Sequence, residues 1–299
     1  MHTLSPADTV LLPSGRDVAF FAEHGWFLSR KLLADTEIDA LVAATEGFYA
    51  GERSRCLPVR PPQLKYWKPE HGAVKRENDY VHYESDAIAE LCLKPLIGAA
   101  AARLLQVREI RVLQATLIYK PPVVDEPTNI VPLHSDRHYW ATSASDNIVT
   151  AFIPLHDCGE ENGTIAMVDG SHRWPESGVD ERVAAGQFAA GAPATWEALV
   201  AAHAARNGST LDPIPMVIPK GHMSFHHSRT YHGSGANRTG RPRRAISLHL
   251  QDTANTYREI TLADGTLATY NHDWLVRRTP GGHPDYADPE YCPLLWSTP

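Results

Sequence analysis

The chain has 299 residues, 43% hydrophobic and 21% charged, enough for a large core, and a single domain with decorations is expected. A formal net charge of -7 argues against a nucleic-acid partner, which would favour a basic surface. The longest apolar runs, such as "LIGAAAARLL" at 96–105, are too short to cross a bilayer and are interrupted by Arg103, so no membrane partner is expected either.

The opening residues, "MHTLSPADTV", show no basic start followed by an apolar stretch. Cys56, Cys92, Cys158 and Cys292 form no CxxC pair, which sets aside zinc-ribbon and thioredoxin chemistry and fits reduced thiols in a cytoplasm. In chain order, "FFAEHGWFLSRKLL" turns apolar and strand-like after Gly25. "DTEIDALVAATEGFYA" (35–50) starts acidic and spaces Ile38, Leu41 and Val42 as a helix does. Segment 51–77 is locally basic and reads as a solvated loop, with a contact for an anionic substrate group as the rival reading. A helical region at 86–105 is broken at Pro95, giving a helical N-terminal part over about 30–105.

After Gln106 the texture changes. "EIRVLQATLIYK" (109–120), "NIVTAFIPL" (147–155), "TIAMVDG" (164–170), "IPMVIPKGHMSFH" (214–226) and "RAISLHLQD" (244–252) are rich in Val, Ile, Leu and Thr. Their spacing leaves no room for alternating helices. A mainly β fold follows, an antiparallel double-sheet barrel over about 106–255 with the early helices outside one sheet. An Ala-rich insertion, 175–212, is expected to hold a helix near 194–206 and to act as a lid or a surface excursion. The tail, 276–299, is dense in Pro, Gly and aromatics and is expected to wrap the core as ordered coil.

Within "PLHSDRHYW" (132–140), His134 and Asp136 stand two apart, a spacing that puts both on one face of an extended strand and within reach of one metal ion. With 16 histidines in the chain, about one such pattern is expected from ordinary composition. A second copy, His283-Pro284-Asp285, indeed occurs, in the Pro/Gly-rich tail where no strand platform is expected. A third ligand is available from His226, His227 or His232, and the last precedes Gly-Ser-Gly and the cluster Arg241, Arg243, Arg244. Two imidazoles and one carboxylate leave metal positions open, the arrangement of non-haem Fe(II) oxygenases. An arginine beyond the metal would suit the far carboxylate of a dicarboxylate.

"LQATLIYKPP", "VPLHSDRHYW", "ENGTIAMVDGSH" and "HGSGANRTGRPRRAIS" together resemble the phytanoyl-CoA dioxygenase family of Fe(II)/2-oxoglutarate oxygenases, including its ectoine hydroxylase branch. The resemblance covers about a third of the chain and implies a double-stranded β-helix (jelly-roll or cupin-like). It further implies that His134, Asp136 and His232 bind iron and that Arg243, with Ser234, holds 2-oxoglutarate. Gln114, Thr116 and Lys120 match positions at the cosubstrate pocket, and Trp140, with Tyr139 beside it, falls where the ectoine branch faces its substrate. His226 and His227 are read as core or surface histidines. Two departures bear on the substrate: Ser135 replaces a frequent Gln, and Thr116 stands where the ectoine branch has arginine. "ENGTIAMVDGSH" is read as structural, with turns at Asn162-Gly163 and Gly170.

The implied reaction uses Fe(II), 2-oxoglutarate and O2, hydroxylates an unactivated C–H bond of a small metabolite, including one of secondary metabolism, and releases succinate and CO2. Asp136 argues against halogenation, which in related enzymes needs that carboxylate to be missing. Desaturation, epoxidation and cyclisation use the same site. A zinc hydrolase would accept the same ligands but has no use for the Arg–Ser pair, and a non-catalytic metal-binding barrel is the remaining rival.

Overall fold

The apolar runs pair as two antiparallel sheets in the computed structural model, which describes residues 3–122, 129–175, 193–261 and 265–298. The larger sheet runs β1 (Trp26–Leu28), β8 (Ser224–His227), β5 (Ile148–Pro154), β10 (Arg243–Asp252), β3 (Glu109–Lys120). The far edge of β3 is shared by β2 (Arg76–Asp79) and β11 (Leu294–Ser297). The smaller sheet runs β4 (Val131–His134), β9 (His232–Ser234), β6 (Ile165–Met167), β7 (Ile214–Pro215). Two stacked sheets with no ladder joining them among the described residues make a jelly roll, the double-stranded β-helix expected above, rather than a closed barrel.

Strand alternation sorts the side chains of the larger sheet. Val149, Ala151 and Ile153 of β5, Phe225 of β8 and Ile246, Leu248 and Leu250 of β10 join one apolar cluster with Ile38, Leu41 and Phe48 of the helix Asp35–Tyr49 and with the helix Pro95–Leu105. Truncating one of these fully buried residues, for example Leu41→Ala, would cost about 2–5 kcal/mol. The opposite faces present Thr150 and Phe152, His226, and Arg243, Ser247 and His249 to a cavity between the sheets. In β3 a bulge intervenes: the pairing jumps from Gln114↔His249 to Val112↔Leu250, leaving Leu113 unpaired. Leu113 then packs beside Trp140 on the inner side, and the phase reset brings Gln114 and Thr116 to the cavity while Ala115 and Leu117 face the helices.

Helix 35–49 forms where its apolar spacing predicts, and Pro95 starts the helix Pro95–Leu105 as its first residue, after the helix Asp86–Cys92. The strand-like stretch expected after Gly25 forms β1, although only Trp26–Leu28 is strand, and the residues before it end a helix, Gly15–His24, whose Ser14 and Asp17 cap each other. Gly25 separates the two at φ 77°, and a Cβ there would lie 2.7 Å from Thr230 Oγ1. The run 214–226 splits into β7 and β8. In the tail, β11 pairs with β3. In the insertion a helix spans Pro193–Arg206, and residues 176–192 lie outside the described residues. No helix among the described residues is long and apolar enough to cross a membrane.

Candidate metal centre

His134 is the last residue of β4 and His232 the first of β9, and the two are register partners in the smaller sheet. Antiparallel pairing therefore sets their rings side by side, with centroids 4.3 Å apart. Asp136 does not continue the strand, as the spacing argument assumed. Ser135 is extended (φ -112°, ψ 143°), and Asp136 opens a 3-10 turn that runs to Trp140. One extended residue is enough to return the carboxylate to the face of His134. Ligand atoms of His134, Asp136 and His232 all lie within 4.8 Å of one another, and the three residues are buried.

The surrounding hydrogen bonds fix which atoms are offered. Each imidazole donates its Nδ1–H to a carbonyl two residues back, His134 to Pro132 O and His232 to Thr230 O, both at 2.9 Å. That leaves both Nε2 lone pairs aimed at Asp136 Oδ1, 3.8 and 3.5 Å away. The other carboxylate oxygen, Oδ2, accepts from Thr150 Oγ1 at 2.6 Å and from His226 Nε2 at 3.2 Å. His249 Nδ1 backs the Thr150 hydroxyl at 2.8 Å. Burial would push the Asp136 carboxyl up, yet the neighbouring His232 and the bond from His226 hold it well below the usual carboxylate range. Burial takes His134 down to about 4 and His232 well below the ordinary histidine value. Two neutral imidazoles and one carboxylate, each with one oriented donor atom, are a donor set suited to a divalent metal such as Fe(II).

Alternation along β10 brings Arg243 to the same cavity, which has a volume of about 650 Å³. The residue is 1% exposed, and Nη2 donates to Gly163 O at 3.0 Å while Nε and Nη1 have no hydrogen-bond partner among the described residues. A buried cation with two unspent donors fits a carboxylate. Ser234 lines the cavity nearby, and behind it Lys120 donates to Ser234 Oγ (2.7 Å), Ser234 O and Gly235 O. Burial and the Arg243 charge pull the Lys120 pKa down to about 5.

Gln114 and Thr116 also line the cavity, where both donate to Asp79 Oδ1 at 2.8 Å. Tyr270 donates to Gln114 Oε1, and the backbone N–H of Lys65 and the amide of Asn271 reach Asp79 Oδ2. Burial raises the Asp79 carboxyl to about 6. Tyr139 stands edge-on to His134 with centroids 5.6 Å apart, and Trp140 edge-on to His249 at 4.9 Å. From the basic segment, Lys65 and Lys75 flank Glu77 at 3.5 and 3.3 Å on the cavity wall.

His283 and Asp285 take no part in this cluster: Asp285 pairs with Arg277 at 2.8 Å, and His283 is exposed. His227 points elsewhere, its ring 5.6 Å from that of His172. Sequence reading passed over Thr150, His249 and Asp79, which no short motif marks, and read His226 as a core or surface histidine rather than as a support of the carboxylate. Strand alternation on β5, β8 and β10 was the available signal. It also read Gly163 as turn geometry alone. Gly163 does occupy a left-handed turn (φ 71°), and its carbonyl in addition accepts a hydrogen bond from the Arg243 guanidinium.

The fold has close parallels. SnoN, the non-heme alpha ketoglutarate dependent epimerase from nogalamycin biosynthesis, matches with TM-score 0.66 at 22% identity over 95% of this chain and 96% of its own. EctD from S. alaskensis, solved with 2-oxoglutarate and 5-hydroxyectoine, matches with TM-score 0.63 at 20% identity over 88% and 84%. By sequence, the peroxisomal phytanoyl-CoA dioxygenase of Mus musculus is 27% identical over 243 residues, 77% of this chain and 66% of that protein. The Homo sapiens protein is 30% identical over 143 residues, 47% of this chain and 39% of its own. The chain thus spans just under two thirds of the length of the mouse relative. The family model described as Phytanoyl-CoA dioxygenase (PhyH) matches residues 21–245, which include both metal-site histidines, the carboxylate between them and the buried arginine. By that match the chain belongs to the phytanoyl-CoA dioxygenase family.

Proposed function

We propose that the chain is a 2-oxoglutarate-dependent oxygenase that uses Fe(II) and O2 to hydroxylate an unactivated C–H bond of a small metabolite, acting as a single domain. The observation that carries this reading is the pairing of a convergent His134–Asp136–His232 donor set with a buried Arg243 that keeps two N–H groups for an anion. When bound, iron would supply the activation of O2 coupled to decarboxylation of 2-oxoglutarate to succinate and CO2. His134 and His232 would hold it through Nε2 and Asp136 through Oδ1, the carbonyls of Pro132 and Thr230 keeping the rings in the correct tautomer. Arg243 and Ser234 would seat the far carboxylate of the cosubstrate. The Asp79 network with Gln114, Thr116 and Asn271 would give the cavity a fixed polar wall, and Trp140 and Tyr139 would present aromatic surface to the substrate and keep water out.

Retention of Asp136 supports hydroxylation over halogenation, since its carboxylate occupies the place a halide would need. SnoN is an epimerase and SnoK, also from nogalamycin biosynthesis, a carbocyclase, so the same fold also carries other outcomes. A cytoplasmic location accords with the thiols, all four cysteines being free. Anaerobic addition of Fe(II) and 2-oxoglutarate should give the weak visible charge-transfer band of the chelate, which neither component gives alone. Admission of O2 with a metabolite panel should then accelerate 2-oxoglutarate consumption for the true substrate class. No band, with hydrolysis supported by Zn(II), would overturn the reading.

A further inference from the structure

Aromatic side chains run without a break from the metal centre to the surface. His249, which backs the Thr150–Asp136 hydrogen bond, has its ring 4.9 Å from Trp140, and Trp140 lies 6.5 Å from Tyr270. Tyr270 is 5.3 Å from His272, which is 5.8 Å from Tyr286. Tyr286 is 6.3 Å from Tyr257, and half-buried Tyr257 stacks at 5.6 Å on His283, an exposed residue. Packing alone accounts for rings in a core, but two features go beyond packing. Four of these seven rings are oxidisable Trp or Tyr. The middle tyrosine also has a proton acceptor in place: Tyr286 OH donates to Asp273 Oδ1 at 2.8 Å, and burial raises the Asp273 carboxyl above its ordinary value. Tyr80, whose hydroxyl meets His272 Nδ1, forms a side branch with the same character.

We infer that Trp140, Tyr270, Tyr286 and Tyr257 form a relay that carries oxidising equivalents from the metal centre to the surface when no substrate is present to be oxidised. The inference rests on the oxygenase reading. Its oxidant is the strong electron acceptor generated at the metal from O2 and 2-oxoglutarate, and its reductant is a small surface-accessible donor such as ascorbate or a thiol. Trp140 gives one electron to the oxidant. Tyr286 refills Trp140 through Tyr270 and passes its phenolic proton to Asp273. Tyr257 then gives one electron to Tyr286, which recovers that proton, while the Tyr257 proton leaves to solvent. The external donor returns one electron and one proton to Tyr257. Two passes, with two protons taken up from water in the cavity, reduce the oxidant's oxygen atom to water and leave the protein unmodified. The aromatic tail, which contributes Tyr286 and His283, thereby has a role besides covering the core.

The test needs no substrate. Protein loaded anaerobically with Fe(II) and 2-oxoglutarate is mixed with O2, freeze-quenched for electron paramagnetic resonance, and mapped by peptide mass spectrometry for oxygen added to Trp and Tyr. Wild type should show a tyrosyl radical, quenched by ascorbate, and should survive many futile turnovers. Tyr286→Phe and Tyr257→Phe each remove one hydroxyl far from the ligands. Tyr286→Phe should lose the outer radical, gather oxidation on Trp140 and Tyr270, and lose activity several-fold sooner; Tyr257→Phe should move the radical inward to Tyr286. A radical and oxidation map unchanged in both variants would overturn the relay, as would absence of any tyrosyl signal while 2-oxoglutarate is being decarboxylated. Absence of decarboxylation itself would instead bring down the oxygenase reading, and the relay with it.

Discussion

Replacing Arg243 with methionine should remove most 2-oxoglutarate affinity while leaving the apoprotein at least as stable. The side chain is 1% exposed, and only Nη2 is spent, on Gly163 O at 3.0 Å. Deleting one partner of a buried, hydrogen-bonded charge pair costs about 2–5 kcal/mol. At about 1.4 kcal/mol per tenfold, that is roughly 30-fold to a few thousand-fold in Kd. Stability goes the other way. Exchanging a buried ion for a packed apolar side chain is commonly neutral or stabilising by about 1–4 kcal/mol. Against it stands the orphaned Gly163 carbonyl, worth about 1 kcal/mol. Thermal unfolding with Mn(II) as a redox-silent metal reads both effects. At 2-oxoglutarate near 100 times the wild-type Kd, wild type should gain about 2.7 kcal/mol, and the variant from about 0.9 kcal/mol down to nothing across that range of weakening. Arg244→Met is the control: it points away from the cavity to Glu46 at 3.0 Å, a pair with an exposed carboxylate worth about 0–1 kcal/mol. Unchanged affinity in Arg243→Met, or its loss in Arg244→Met, would refute the register that puts Arg243 in the cavity.

Thr150→Val takes the 2.6 Å donor from Asp136 Oδ2 and should weaken Co(II) or Fe(II) binding about 10–100-fold, while Thr150→Ser restores it; equal affinity in both variants would make the hydroxyl irrelevant. Asp136→Gly should cost metal binding and abolish the proposed turnover of 2-oxoglutarate, whereas Asp285→Ala, which loses the pair with Arg277 and the hydrogen bond from Ala287 N–H, should leave both intact, as read by metal titration. Burial holds His82 at about 4, so between that pH and the ordinary 6.5 the unfolded chain binds a proton the fold refuses. Its contribution is therefore complete above about pH 6.5 and drains away toward pH 4, by on the order of 3 kcal/mol. His82→Gln, which keeps a donor for Tyr291 O, should flatten that part of the urea-denaturation pH profile.

Those residues differ in how far the sequence revealed them, and the difference has a physical origin. Strands announce themselves where one face is apolar, so β3 over 109–120 and β10 near 244–252 are legible directly from Val, Ile and Leu spacing. The candidate ligands were legible from a two-residue spacing plus an ordered resemblance, although Asp136 proved to open a turn rather than extend a strand. One extended residue preserves the same-face relation whether or not a ladder continues, so the inference survived a wrong local assumption. Helix 15–24 has its signal in the cap formed by Ser14 with Asp17, a stretch to which the sequence reading assigned no element.

The supports of the site were illegible for a different reason. Thr150, His226 and His249 belong to three different strands and converge on Asp136 only through the register that sets β5 between β8 and β10. No spacing within one strand encodes that meeting. A bulge compounds the difficulty in β3. With strict alternation from Ile110 and Val112, Gln114 and Thr116 would face the helices, and the extra residue at Leu113 is what turns them to the cavity. Deleting Leu113 would therefore invert the inner half of the strand, burying Gln114 and Thr116 among apolar helices and stripping Asp79 of two donors. The polar wall thus depends on one irregular residue whose apolar side chain makes no hydrogen bond of its own, and its signature is a register rather than a residue type.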